Sequence, residues 1–195
     1  MPTILVESNI AQWHRLVLEA QEITQTPLSE DLESYLVFML MRNMKNSNIN
    51  SKVMAMEYIN SIKSHGSERE LRLREVGDQC LLFSGLFPQR AQRRHMKVKY
   101  YVDLGRTAYL HLADDLTAGV ARLYQQLSDS FIYIMDTLLA IRSMTEKQQE
   151  HDVLLAFELW QDLKSQYSFD ILQQRLSNKT KTLSVMQGVS DSPLH

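Results

Sequence analysis

From Trp13 to Leu172 apolar residues return every three or four positions, and a strand's strict alternation never lasts. A spacing near 3.6 fits one face of an α-helix, whereas a half-buried strand repeats every second residue. The only segments that could read as strands, Thr3–Val6 and Lys97–Val102, are short. Six glycines and four prolines in 195 residues are too few for the many turns of a β fold. The expectation is therefore an all-α protein: a single-domain bundle of six to eight helices over residues 1–176, with a flexible tail over 177–195. A chain of this length buries roughly 70% of its unfolded surface and needs no staple.

Punctuation divides the pattern. A first helix is expected from Ser8 to Ile23, ended by the Pro27 segment, since proline lacks an N–H donor and disfavours helix before it. Ser29 is placed to cap the next helix, with Glu30 and Asp31 in its first turn. Residues 43–51 read as a loop. A third helix carries Val53, Met56, Ile59 and Ile62 and is expected to stop at Gly66. Ser67 and Glu70 have capping-box spacing for a fourth, with Leu73, Val76, Cys80, Phe83 and Phe87 on one face. Gly85 and Pro88 predict a break and a central crossing. Beyond it, Tyr101, Leu104, Ala108 and Leu112 mark a helix. One long helix is expected from Asp115 to Ile141, and a last one after a Thr145–Gln148 capping box.

The middle of the chain concentrates the unusual residues. Residues 71–113 hold Gly77, Gly85, Gly105, Pro88 and the lone cysteine, Cys80. Residues 89–106 contain Arg90, Arg93, Arg94, Lys97, Lys99 and Arg106 against one acid, Asp103. That is a formal +5 on a chain whose total is −2, so charge is segregated. Arg90, Arg93 and Arg94 share a face if the segment is helical. Tyr100 and Tyr101 follow and could stack on a ring. The candidate ligand-binding residues are Arg90, Arg93, Arg94, Tyr100, Tyr101 and Arg106. The partner would be anionic: an acidic protein surface, nucleic acid or a phosphorylated small molecule. The plainer reading is that these cations are solvated or meet local acids.

Catalytic and metal motifs are not legible. No histidine has a glutamate three residues before it, and no His-Glu-x-x-His occurs. His111 with Asp114 or Asp115 shares a helical face, which is ordinary for a helix surface. Cys80 lies on an apolar stripe, where cysteine behaves as a small hydrophobe. Ser84 lacks the glycines of a nucleophile elbow, and no phosphate loop is present. No catalytic residue, metal site or cofactor is assigned. The longest apolar run, Tyr35 to Met41, is far short of the roughly 20 residues that span a bilayer. Residues 1–14 lack a basic signal region, so a cytoplasmic location without membrane contact is expected.

The middle segment resembles a family of uncharacterised bacterial proteins that share R-L-R-x-x-G-D, L-F-x-x-G-x-F-P, arginines, Y-Y and G-x-x-A-Y. The matching residues are Arg72, Leu73, Arg74, Gly77, Asp78, Leu82, Phe83, Gly85, Phe87, Pro88, Arg93, Arg94, Tyr100, Tyr101, Gly105, Ala108 and Tyr109. The resemblance covers residues 28–113. It implies a bacterial, cytoplasmic, helical protein and carries no activity with it.

The leading expectation is a non-enzymatic regulatory or interaction protein that binds an anionic partner through the basic segment. The alternatives are a helical enzyme or ligand carrier, and a dimerisation scaffold. The enzyme or carrier would have a pocket near Phe83, Phe87 and the tyrosines, served by Asp78, His111 or Asp114. The scaffold would use exposed apolar helix faces to form a homodimer.

Overall fold

A computed structural model describes residues 9–45, 53–93, 95–145 and 153–188. The Thr3–Val6 candidate strand lies outside them. The described residues are all-α and form ten helices. They are α1 (Asn9–Thr24), α2 (Glu30–Lys45), α3 (Met54–Lys63), α4 (Gly66–Gly85), α5 (Pro88–Arg93), α6 (Val98–Asp115), α7 (Ala118–Asp129), α8 (Phe131–Thr145), α9 (Val153–Leu163) and α10 (Gln166–Gly188). Where the sequence reading set one domain over 1–176 and a tail beyond, the backbone groups into Met1–Gln148 and Gln149–His195. Helix α10 runs on to Gly188.

In the first unit α4 is the central post. It packs against α3, α5, α6 and α8, while α1 lies against α2 and α8, and α7 against α6. From Val76 onward nearly every residue of α4 is buried, including Gly77, Asp78, Cys80, Leu81, Leu82, Phe83, Ser84 and Gly85. A helix surrounded on all sides cannot show a polar face, which explains why its apolar periodicity fades there. Phe83 is fully buried and Phe87 only half-buried, so the roughly 3–5 kcal/mol cost of truncating a buried phenylalanine applies to Phe83.

Small residues set how closely the helices approach. A Cβ on Gly105 of α6 would lie 2.7 Å from the Phe131 ring and 2.8 Å from the Cys80 Cβ. The missing side chain lets α6 lie close to α4. Ser29 caps α2 as its position predicts, accepting from the Leu32 N–H at 3.4 Å. Gln21 ties α1 to α2: its Oε1 accepts from the Leu28 N–H at 2.7 Å, and its Nε2 donates to Glu33 at 3.0 Å.

Several boundaries differ from the sequence reading. Helix α3 stops at Lys63, and Gly66 opens α4 in a left-handed conformation (φ 56°) instead of ending α3. His65, not Ser67, takes the N-cap position of α4, so the Ser67–Glu70 box does not cap the helix. Lys97–Val102 contributes to α6, not to a strand. The single helix expected over Asp115–Ile141 divides at Ser130 into α7 and α8, and Phe131 enters the core against Gly105. Thr145 ends α8. Lys164 adopts φ 58° and ends α9, and Ser165 starts α10 by accepting from the Ser168 N–H at 3.1 Å. These breaks raise the count above the six to eight expected, because serines and one left-handed lysine interrupt the chain without glycine or proline.

Candidate functional site

Asp78 stands in the buried half of α4 and is the centre of a polar cluster. Its Oδ1 accepts from the Tyr35 hydroxyl at 2.5 Å and from the Tyr109 hydroxyl at 2.9 Å. Its Oδ2 takes Nη2 of Arg42 at 3.0 Å. Tyr35 and Arg42 come from α2 and Tyr109 from α6, so one carboxyl ties three helices together. Tyr124 of α7 joins the rings, edge-on to Tyr35 with centroids 5.9 Å apart.

Gly77 makes this arrangement possible. A Cβ there would lie 2.6 and 2.8 Å from ring atoms Cδ1 and Cζ of Tyr109. The ring therefore lies on the α4 backbone itself, with its hydroxyl carried to the next residue. Gly77 and Asp78 of α4 thus both meet Tyr109 of α6.

Burial raises the Asp78 carboxyl above the ordinary aspartate value, against the pull of Tyr35, Arg42 and Tyr109. The Tyr35 and Tyr109 hydroxyls are pushed well up, by burial first and then by the charge of Asp78. Both phenols therefore keep their protons at neutral pH and direct them into the carboxyl. With both phenol protons directed at one carboxyl oxygen and half-exposed Arg42 on the other, the cluster ties the helices together. Leaving buried Asp78 without one of its phenol donors costs about 1–3 kcal/mol.

The predicted ligand-binding residues distribute unevenly. Arg90 is exposed on α5 with its guanidinium 4.5 Å from the centroid of the Phe87 ring. The Arg93 side chain and all of Arg94 lie outside the described residues. Tyr100 is half-buried in the first turn of α6, with Tyr101 edge-on at 5.1 Å. Tyr101 is buried against Phe83, with ring centroids 5.3 Å apart, and serves the core. Arg106 is half-buried further along α6. Lys99 pairs with Asp103 at 3.0 Å, both exposed.

The turn between α5 and α6 has a distinct local structure. His95 adopts φ 54°, and the Met96 N–H reaches back to the Ala91 carbonyl at 3.1 Å. That 6→1 bond closes α5 in the manner of a Schellman turn. Lys97 then takes the N-cap position of α6 without a side-chain cap, and no acid stands in the first turn. The positive end of an 18-residue helix is thereby set in the basic segment.

In comparisons with protein families, curated proteins and solved structures, nothing matches this chain.

The other sequence candidates find ordinary roles. His111 Nδ1 lies 2.9 Å from the Tyr58 hydroxyl, with the rings stacked at 5.8 Å. Asp115 pairs with Arg69 at 2.5 Å. Cys80 is fully buried, and burial pushes its thiol far up. Among the described residues no three His, Cys, Asp or Glu side chains gather in a metal-ligating group, and no helix is long and apolar enough to cross a membrane. Tyr35 and Arg42 were missed as polar partners. Tyr35 reads as one more member of an apolar stripe, and only an aspartate inside the buried face of α4 signals that it needs donors from elsewhere.

Proposed function

We propose that this is a cytoplasmic, non-enzymatic interaction protein that takes an anionic partner at the α5–α6 turn. One observation carries the reading. Helix α6 begins at Lys97 with neither a side-chain cap nor a first-turn acid, inside a segment of six cations and one carboxylate. The helix dipole favours negative charge at such an end. Arg90, Arg93, Arg94 and Arg106 would supply charge, and half-buried Tyr100 a ring face. The resemblance to a bacterial family is consistent with this reading and adds no activity to it.

Packing favours this reading over a ligand pocket beside Phe83 and the tyrosines. There Tyr101 lies on Phe83, Phe131 fills the space at Gly105, and the Tyr109 ring occupies the space at Gly77. The test is binding of a fluorescent acidic peptide, a short single-stranded RNA and a nucleoside triphosphate to the wild type and to Arg93→Ala/Arg94→Ala. At least one probe should bind, weaken severalfold in the variant and fall off with added salt. Binding unchanged in the variant refutes the reading.

A further inference from the structure

Helices α9 and α10 form a hairpin with two apolar faces. Lys164 and Ser165 alone separate them, so the two helices run antiparallel and pack on each other. One face is buried, through Leu155, Leu159 and Leu163 of α9 and Tyr167 of α10. The other lines an open groove of about 830 Å³. Val153, Phe157 and Trp160 line it from α9, and Phe169, Leu172 and Leu176 from α10. Each set steps by three and four residues, so each is a single face of its helix. Phe157 stays 49% exposed and Leu176 67%. A pair of helices has no further layer of its own to cover a second apolar face.

The groove changes character along its length. Near the turn it is aromatic. Trp160 stacks on Phe169 with centroids 5.5 Å apart and planes at 29°, and Phe157 leans on Trp160 at 6.2 Å. Away from the turn the wall becomes aliphatic, with Val153 and Leu176, and Arg175 of α10 joins the lining. Arg175 is exposed and has no ion pair among the described residues. The acids of the hairpin, Glu158, Asp162 and Asp170, do not line the groove. Neither does Lys164, which lies over the Trp160 ring at 5.5 Å and donates to the Gln161 carbonyl at 3.2 Å. The groove thus has rings at one end and one unanswered cation toward the other. Seven residues of helix separate Trp160 from Val153, a distance of about 10 Å.

We propose that this groove binds a small aromatic carboxylate. Its flat apolar body would lie on the Phe157, Trp160 and Phe169 rings, and Arg175 would receive its carboxylate. The volume falls within the range of small-molecule sites, about 300–1,000 Å³. The site is built from α9 and α10 alone, and does not rest on the anion-binding reading of the α5–α6 turn. Charge separates this occupant from its rivals. A second copy docking by the same face would bring another Arg175 and no acid from that lining to meet it. Nucleic acid would find a single cation where it needs several. A ring system that carries one carboxylate satisfies both ends of the groove.

The probe is pyrenebutyrate, a fused-ring body on a short chain that ends in a carboxylate. It is titrated into the full chain carrying Trp13→Phe, which leaves Trp160 as the only tryptophan. Pyrene absorbs where tryptophan emits, so bound probe should quench Trp160. Pyrenebutyrate should bind about fivefold tighter than the neutral pyrenebutanol, and Arg175→Gln should abolish that difference. Phe157→Ser changes an exposed position and should weaken both ligands about tenfold, with the far-ultraviolet circular dichroism intact. Met56→Ser/Ile59→Ser alters exposed apolar residues of α3 and should leave binding unchanged. A loss there equal to that of Phe157→Ser would mean adsorption to apolar surface at large and would overturn the proposal. Equal affinity for the acid and the alcohol in the Trp13→Phe chain overturns the carboxylate. Absence of quenching, or binding that neither Phe157→Ser nor Arg175→Gln alters, overturns the site. So does a dimer that Phe157→Ser converts to monomer in light scattering, which would make the occupant a second copy.

Discussion

Gly77→Ala sets two well-known effects against each other. Alanine is the better helix former by about 1 kcal/mol in a helix interior, and Gly77 sits deep inside α4. Propensity alone therefore predicts a gain. Packing predicts the reverse, because the new methyl would stand 2.6 Å from Tyr109 Cδ1 and 2.8 Å from Cζ. Forcing a methyl into a filled core costs about 1–3 kcal/mol. Moving the ring also draws its hydroxyl from Asp78, and a hydrogen bond to a charged group contributes about 1.5–3 kcal/mol. With the propensity gain subtracted, the net loss is about 1.5–5 kcal/mol. Gly119 supplies the control, since a Cβ there meets nothing within 4 Å. Gly119→Ala in α7 should be neutral or stabilising by up to about 1 kcal/mol. Urea denaturation of both variants measures the difference, with an unchanged slope showing that the same surface unfolds. Gly77→Ala at or above wild-type stability would refute the account of the Gly77–Tyr109 contact.

Two further outcomes follow from the same geometry. Asp78 has a folded carboxyl value raised above its ordinary 3.8, so the native state holds this proton to higher pH than the unfolded chain. Its stabilising contribution is full below the unfolded value and declines as pH rises through the folded one. Relative to Asp78→Asn, the wild type should therefore gain stability as pH is lowered from 7 toward 4, and a difference that grows with pH instead would show a depressed carboxyl. Ser165→Ala removes the cap of α10 and should cost about 1 kcal/mol, read as lost helicity in a thermal melt, with no change meaning that the Ser168 N–H finds another acceptor.

The helical class was legible because most helices keep one apolar face, and that face survives as a period in the sequence. Trp13 to Ala20 and Leu32 to Leu40 read directly for this reason. The count was not legible, because Ser130 and Lys164 break helices by local capping and a left-handed residue, which look like surface composition in a bare sequence. Gly66 misled for a related cause: a glycine between two helices is read as a stop, yet it opens the second. The polar cluster was half legible. Gly77 and Asp78 stood out inside an apolar run, but their partners lie 31 to 43 positions away and carry no mark of the pairing. The apolar residues of α3 were read as a core stripe, since a sequence gives the period of a face without saying whether it points inward.

The cross-tie at Asp78 also orders events while the chain is being made. Tyr35 and Arg42 leave the ribosome before Asp78, but Tyr109 follows 31 residues later. At a synthesis rate of about 5–20 residues per second that delay is roughly 2–6 s. During it the carboxylate lacks its second phenol donor and keeps its hydration, so the nascent pair of α2 and α4 stays wet at its centre. Drying of that seam therefore waits until α6 has been made.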